Sequence, residues 1–386
     1  MIRCGLVTIA PFPKGNVTTI RYSSYLRALH REGVYTKVYI YAPTRMAKHI
    51  STRTGNYEGI DYEYTTKPFL EKYSLIRQLN QTAIGIIQLL KSLKKDGINV
   101  LILNEEQPWI LTFILYLYCL LNRILFIGEK TEYPPLSVRH NKFREWLYSF
   151  KIRMYDSMIL ITKELQKYFS VFLNHKTKTF LLPVTIDMNR YATVNSIDYS
   201  TPYIATVFGV HNRDGLEESL LSYSNYLENG GSFDLWLIGD YNSMPNKSKL
   251  DSIIKSNCLE KRVRICGKVD ILSVPSFLKS AKCLLTTPNF YISGGFPTKL
   301  GEYMLSGVPI VATDAGEIKD YVEDGKDIFL SKPGDIKDIT NKLLYIEHNE
   351  GAALNVANAA EIKARHIFNA QTYAKPLIDF LGGFKK

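Results

Sequence analysis

The sequence predicts an α/β protein made of two doubly wound, Rossmann-like halves. Three observations carry this. Short apolar runs that suit buried strands alternate with amphipathic stretches that suit helices, as in a mostly parallel sheet covered by crossover helices. An opening of strand, loop, helix and strand over residues 2–41 starts afresh at Pro202, midway along the 386 residues. The stretch Ser293-Gly-Gly-Phe-Pro-Thr-Lys-Leu-Gly-Glu302-Tyr-Met-Leu-Ser-Gly307-Val-Pro-Ile-Val-Ala-Thr313 then leads through a Gly pair and a Pro into a helix, and hands over at Gly307-Val-Pro to an apolar strand. Two domains of about 180 residues each suit the length.

In chain order, Ile2–Ala10 reads as a buried first strand, followed by the loop Pro11–Arg21, a helix over Tyr22–Glu32, and a strand at Thr36–Tyr41. Gly15 stands in that loop without the further glycines of a dinucleotide fingerprint, so NAD is not indicated. Gly15, Asn16 and Thr18 are candidates for ligand contact, with a plain turn as the alternative. An amphipathic helix is expected within residues 70–95 and a strand over Asn99–Leu103. The thirteen residues Trp109–Leu121, apolar or aromatic except for Thr112, fall short of the ~20 needed to span a bilayer. They suit a buried crossover helix before the strand Ile124–Ile127; an interfacial helix is the other reading. Glu129-Lys-Thr-Glu132-Tyr-Pro-Pro follows that strand, where α/β folds place ligand groups. Glu132 is therefore a candidate to orient or deprotonate a hydroxyl, or else a loop carboxylate paired with Lys130 or Arg139. Residues 139–153 interleave Arg and Lys with Phe143, Trp146, Tyr148 and Phe150, which suits either a membrane-facing helix or a solvated one. Strand-like Asp156–Thr162 and Lys178–Leu182 close the half. The domain boundary is expected near 183–200.

The second half opens with the strand Pro202–Gly209, the turn Val210-His-Asn-Arg213-Asp-Gly and a helix through Leu227. Strands follow at Asp234–Ile238, ending in Gly239, and at Val263–Cys266, ending in Gly267-Lys268. Then come a helix at Val274–Ser280, a strand at Cys283–Thr287 and the stretch quoted above. The first turn of its helix, at Thr298, Lys299 and Leu300, would present free N–H groups and a positive dipole end, which bind phosphate well. A lysine there opposes the dipole, so Lys299 is better explained by an anion. Glu302 lies one turn on, on the same face. Helices are expected over about 333–348 and 351–381.

Composition narrows the function classes. Five scattered cysteines (Cys4, Cys119, Cys258, Cys266, Cys283) form no C-x-x-C pair, which reads as reduced and intracellular. The chain enters directly into a strand, without the pattern of a signal peptide. Residues 1–185 hold 26 Lys and Arg against 13 Asp and Glu, and the remainder 22 against 24. Lys and Arg are scattered, with no nucleic-acid motif beside them. The basic half suits an anionic membrane surface or a phosphorylated acceptor, or a plain Lys-rich solvated surface. The expected location is cytoplasmic, possible contact being with the inner face of the membrane.

The stretch 294–330 resembles the donor-site motif of retaining GT-B glycosyltransferases, specifically glycosyltransferase family 4. Glu302-Tyr-Met-Leu-Ser-Gly-Val-Pro-Ile-Val-Ala-Thr-Asp matches its second half, and Phe296-Pro-Thr-Lys-Leu-Gly-Glu-Tyr303 is similar to a subgroup that builds bacterial surface polysaccharides. The family's first Glu is replaced by Gly294, which bears on sugar choice or on activity itself. The resemblance implies a GT-B architecture, two Rossmann-like domains facing each other across a cleft. These are an acceptor domain over 1–190, a donor domain over 191–365 and, over 366–386, a helix crossing back. It implies that Gly209 and Arg213 correspond to the family's Gly…Lys-Gly motif, Arg213 reaching the donor phosphates with a bidentate fork. Gly15, Gly239, Lys268, Gly295, Pro297, Thr298, Lys299, Leu300 and Glu302 would line the nucleotide sugar, and Glu132 the acceptor.

The implied activity moves a sugar, with retention, from a nucleotide-sugar donor to a saccharide or polyprenyl-linked acceptor in capsule, O-antigen or exopolysaccharide assembly. Arg213, Lys299 and the amides at 298–300 would stabilise the leaving diphosphate. No cofactor or metal is expected, since there is no Asp-x-Asp after a strand and no His/Asp cluster. The competing readings are a nucleotide-sugar 2-epimerase and a weak or inactive GT-B subunit that binds nucleotide sugar or a partner.

Overall fold

The computed structural model describes all residues except 49, 72, 73, 105, 106, 193, 195, 197, 198, 200, 210, 211, 290–293, 295, 297 and 384–386, and the side chain at 213. The chain divides into two compact units, Met1–Ile186 with Asn369–Lys386, and Asp187–Phe368.

In the first unit the elements run β1 (Arg3–Thr8), α1 (Val17–Arg31), β2 (Tyr35–Ile40), β3 (Thr54–Tyr57), β4 (Ile60–Tyr64), α2 (Leu75–Lys95), β5 (Val100–Asn104), α3 (Trp109–Asn122), β6 (Leu125–Lys130), α4 (Leu136–Arg139), α5 (Lys142–Ile152), β7 (Ser157–Leu160), α6 (Lys163–Ser170) and β8 (Lys178–Leu181). The sheet order is β3-β4-β2-β1-β5-β6-β7-β8. Every pairing is parallel except β3 with β4. Strands such as Val100-Leu-Ile-Leu-Asn104 are buried along their whole length, as a parallel sheet covered on both faces requires. Helix starts are fixed by side-chain caps. Asn16 accepts from the Thr19 amide, Ser74 from Arg77 and Thr162 from Leu165, each worth about 1 kcal/mol.

Three features differ from the sequence-based expectation. The hairpin β3–β4 was not foreseen; it turns on Glu58 and Gly59, both at positive φ (51° and 87°), the geometry of a two-residue hairpin turn. Strand β6 runs on past Ile127 to Lys130, so Glu129 and Lys130 are buried inside it. Burial of Glu129 is balanced by Arg21 Nε at 3.2 Å, the Tyr25 hydroxyl at 2.9 Å and Asn104 Nδ2 at 2.6 Å, all directed at its carboxylate. Crossover helix α3 buries only Leu111, Thr112, Leu115 and Cys119; a sheet contacts one stripe of a helix, so its outer apolar stripe stays exposed.

In the second unit the elements are α7 (Asn189–Ala192), β9 (Tyr203–Val207), α8 (Leu216–Glu228), β10 (Asp234–Ile238), α9 (Lys247–Ser256), β11 (Val263–Gly267), α10 (Val274–Ser280), β12 (Cys283–Thr286), α11 (Thr298–Leu305), β13 (Ile310–Thr313), α12 (Ile318–Tyr321), β14 (Phe329–Ser331), α13 (Ile336–His348) and α14 (Glu350–Ile367). All pairings are parallel in the order β11-β10-β9-β12-β13-β14. The expected single last helix is two. Phe368 turns inward onto Phe296 at 5.7 Å, and Asn369 caps α15 (Ala370–Gly382) by accepting from the Gln371 amide. Helix α15 belongs to the first unit, where it packs on α1. Ala370, Ala374, Leu377 and Leu381 enter the core there, and each leucine contributes about 2 kcal/mol of apolar burial.

Candidate active site at the switch of the second sheet

Crossovers in the second unit leave β9 toward β10 on one side and return through β12 on the other. In open α/β sheets the crevice outside the carboxyl ends of the strands at such a switch takes the ligand. Here β9 and β12 pair only at Ile204–Cys283 and Ala205–Leu284 and then part. The Val207 amide, at the end of β9, donates to the Tyr303 hydroxyl at 2.7 Å. Tyr303 lies on α11, and burial pushes its pKa up, so the hydroxyl stays neutral and α11 is tied to the tip of β9.

The loop after β9 is organised by Asp214. Its Oδ2 accepts from the Gly209 amide at 2.5 Å, and its Oδ1 lies 2.7 Å from Lys299 Nζ. The anion beside Lys299 in this structure is therefore a carboxylate of the protein. Next to it Gly215 has φ +69° and caps α8. A Cβ at Gly215 would stand 1.7 Å from the Thr287 carbonyl oxygen, and the Thr287 hydroxyl donates to the Gly215 carbonyl at 2.6 Å. The β9 and β12 loops are thus locked together across the switch. Asn289 Nδ2 adds a bond to Glu218 Oε1 at 2.5 Å.

One turn along α11, Glu302 Oε1 lies 2.5 Å from Arg190 Nη1, while Arg190 Nη2 donates to the Ile271 carbonyl at 2.5 Å. Lys299 and Glu302 start on one helical face, as expected, yet they engage different partners. Arg190 was not legible as a site residue. It sits in the short helix α7, and nothing local marks it. Three buried polar atoms in this region, Arg190 Nε, Asn289 Oδ1 and Asp314 Oδ1, have no hydrogen-bond partner among the described residues. The two oxygens stand just past the carboxyl ends of β12 and β13.

The remaining candidates separate by place. Thr298 opens α11 half-buried, and Leu300 is buried, so its side chain belongs to the core. Gly239 ends β10; its amide donates to the Gly267 carbonyl at 3.0 Å, and a Cβ would meet the Phe208 carbonyl oxygen at 2.5 Å, which gives packing a reason for glycine. Lys268 is exposed just past β11. Gly295, Pro297 and the Arg213 side chain lie outside the described residues. Gly294 has φ +66°, a region in which a glutamate is strained. Two candidates belong to the first unit. A Cβ at Gly15 would collide with the Pro11 carbonyl oxygen at 2.4 Å, so close packing of the α1 entry accounts for it. Glu132 is exposed in the bend after β6. The Glu129 of the same string is part of the buried network and is not open to solvent.

Residues 200–349 match the family model of glycosyl transferases group 1. The chain is 24% identical over 181 residues to the amylovoran biosynthesis glycosyltransferase AmsK of Erwinia amylovora, a stretch covering 46% of this chain and 44% of that protein. It is 28% identical over 109 residues to the 2-deoxystreptamine N-acetyl-D-glucosaminyltransferase of Niallia circulans, covering 28% of this chain and 27% of that one. The matched part thus spans less than half the length of these curated relatives. Among solved structures, sucrose-phosphate synthase from Thermosynechococcus elongatus superposes with a TM-score of 0.75 at 11% identity, over 99% of both chains. Anabaena Alr3699/HepE, solved in complex with UDP, superposes with 0.72 at 15% identity, over 100% of both. These likenesses show the fold: two parallel-sheet α/β units of the GT-B type.

Proposed function

We propose that the unit Asp187–Phe368 binds a nucleotide-sugar donor and that the protein is a retaining glycosyltransferase. The observation that carries this reading is the convergence on α11. Its first turn holds Lys299 beside the Asp214–Gly209 loop, and its second holds Glu302 on Arg190. A diphosphate binds at the positive end of α11, drawing Lys299 from Asp214. The Glu302 carboxylate, aimed by Arg190, accepts from a pair of sugar hydroxyls. As the C1–O bond breaks, negative charge grows on the diphosphate, and Lys299, Arg213 and the amides of 298–300 stabilise it. The leaving phosphate takes the acceptor proton. Since cationic side chains and the helix dipole neutralise the leaving group, turnover is expected to persist in EDTA.

Findings from relatives support this reading. The glycosyl transferases group 1 match covers Gly209, Asp214, Lys299 and Glu302 and starts after Arg190, and Alr3699/HepE was solved with UDP and with UDP-glucose. Both curated relatives are glycosyltransferases by name, which favours transfer over epimerisation or an inactive binding subunit. Amylovoran biosynthesis and a lipopolysaccharide outer core galactosyltransferase of similar fold suit a saccharide or lipid-linked saccharide acceptor in surface-polysaccharide assembly.

The test is calorimetry with UDP, GDP, ADP and their sugar conjugates in EDTA. One nucleotide is expected to bind saturably, and Lys299→Ala to weaken it at least ~10-fold, as loss of a charge-assisted contact implies. Equal affinity in wild type and variant would remove Lys299 from the site; no binding of any nucleotide would end the reading. Retention is read from the anomeric configuration of the product by NMR.

A further inference from the structure

Helix α5 turns its apolar stripe away from the protein. Phe143, Trp146, Leu147 and Phe150 recur at the spacing of one helical face and are 66%, 54%, 40% and 42% exposed, while Tyr148, Ser149, Lys151 and Ile152 are its buried residues. Helix α3 packs against α5 and does the same, exposing Trp109, Ile110, Phe113, Leu117, Leu120 and Leu121. The rings on this surface are ordered among themselves. Trp109 stacks on Phe113 at 5.4 Å, Phe143 on Trp146 at 5.8 Å, and Phe150 meets Trp146 edge-on at 4.7 Å.

Basic charge is in excess around this surface. Helices α2 to α5 contain a single acidic residue, Glu145. Lys142 and Arg144 on α5 and Arg123 at the end of α3 are exposed. Two copies of this face meeting each other would oppose like charges. A layer of anionic headgroups over hydrocarbon supplies the opposite sign for the rim and an apolar bed for the rings, with tryptophans at the boundary. No helix among the described residues is long and apolar enough to cross a membrane, so the helices would lie on the bilayer.

We propose that the outer face of α3 and α5 is a docking surface for an anionic lipid leaflet. It is independent of the nucleotide site, which lies in the other unit.

The full chain would be sedimented with vesicles of phosphatidylcholine alone and of phosphatidylcholine with an equal part of phosphatidylglycerol, while tryptophan emission is recorded. Trp109 and Trp146 are two of the three tryptophans and the third, Trp236, is buried, so emission reports this face. Expected are binding to the anionic vesicles with a blue shift, a drop of ~10-fold or more in partitioning for Lys142→Glu with Arg144→Glu, as about 1 kcal/mol per basic residue implies, and loss of the blue shift in Phe143→Glu with Trp146→Glu. All four residues are exposed, so both double variants should keep the wild-type melting temperature, which checks that they fold. Equal partitioning of wild type and folded variants, or no preference for the anionic vesicles, would overturn the proposal. So would a dimer by light scattering that Phe143→Glu converts to monomer, since a second copy would then own the face.

Discussion

Arg190 decides how Glu302 should be tested. The Arg190 side chain is 7% exposed, and its guanidinium is shared between Glu302 and the Ile271 carbonyl. Truncation to Glu302→Ala leaves that cation part-buried and short of a partner, a loss of about 1–3 kcal/mol. Glu302→Gln keeps an acceptor in place and should cost less than about 1 kcal/mol, while still weakening any ligand that needs the carboxylate. Denaturant midpoints for both variants, set beside their nucleotide affinities, separate the two effects. A Glu302→Ala protein as stable as wild type would show that Arg190 does not depend on the pair. Lys299 illustrates a related limit of reading a helix by itself. Its conflict with the dipole was legible from position alone, whereas Asp214 as the resident counter-charge required the β9 loop to fold back onto α11.

The element that positions the site is the pair of loops leaving β9 and β12. Gly215 fits because its φ of +69° suits glycine and because the Thr287 carbonyl occupies the space a side chain would need. Gly215→Ala is therefore expected to cost more than about 1 kcal/mol, and to weaken nucleotide binding by displacing the neighbouring Asp214. A variant with unchanged melting temperature and unchanged affinity would show that the loop is not locked. Elements with strong local signals were legible: β5 by its apolar run, α11 by the Gly307-Val-Pro stop, β11 by its ending in Gly267. Hairpin β3–β4 was not, because Glu58-Gly59 lacks the usual Asn-Gly or Asp-Gly pair. Nor was the end of β6, because Glu129 carries a charge that only Arg21, Tyr25 and Asn104, brought together by the fold, allow to be buried.

At the scale of the molecule, buried tyrosines set an alkaline limit on stability. Burial raises the pKa of Tyr22, Tyr25, Tyr39 and Tyr41, and lifts Tyr64 to about 12. An unfolded tyrosine ionises near pH 10. The folded state therefore holds these protons after the unfolded state has released them. Their contribution is complete below about pH 10 and falls as pH rises from there toward 12. Denaturant midpoints should hold between pH 8 and 9.5 and fall above 10, with tyrosinate absorbance rising together with unfolding; a midpoint unchanged at pH 11.5 would contradict this. By itself the sequence determined the α/β class, the two halves, most strand positions and the α11 stretch, because these rest on local periodicity and turn chemistry. Only the tertiary structure decided that Glu302 belongs to Arg190, that Asp214 faces Lys299, that α15 packs on α1, and that the apolar stripe of α5 points outward. Each of these joins residues far apart in the chain or assigns a side to a helix, and helical periodicity marks a face without saying what covers it.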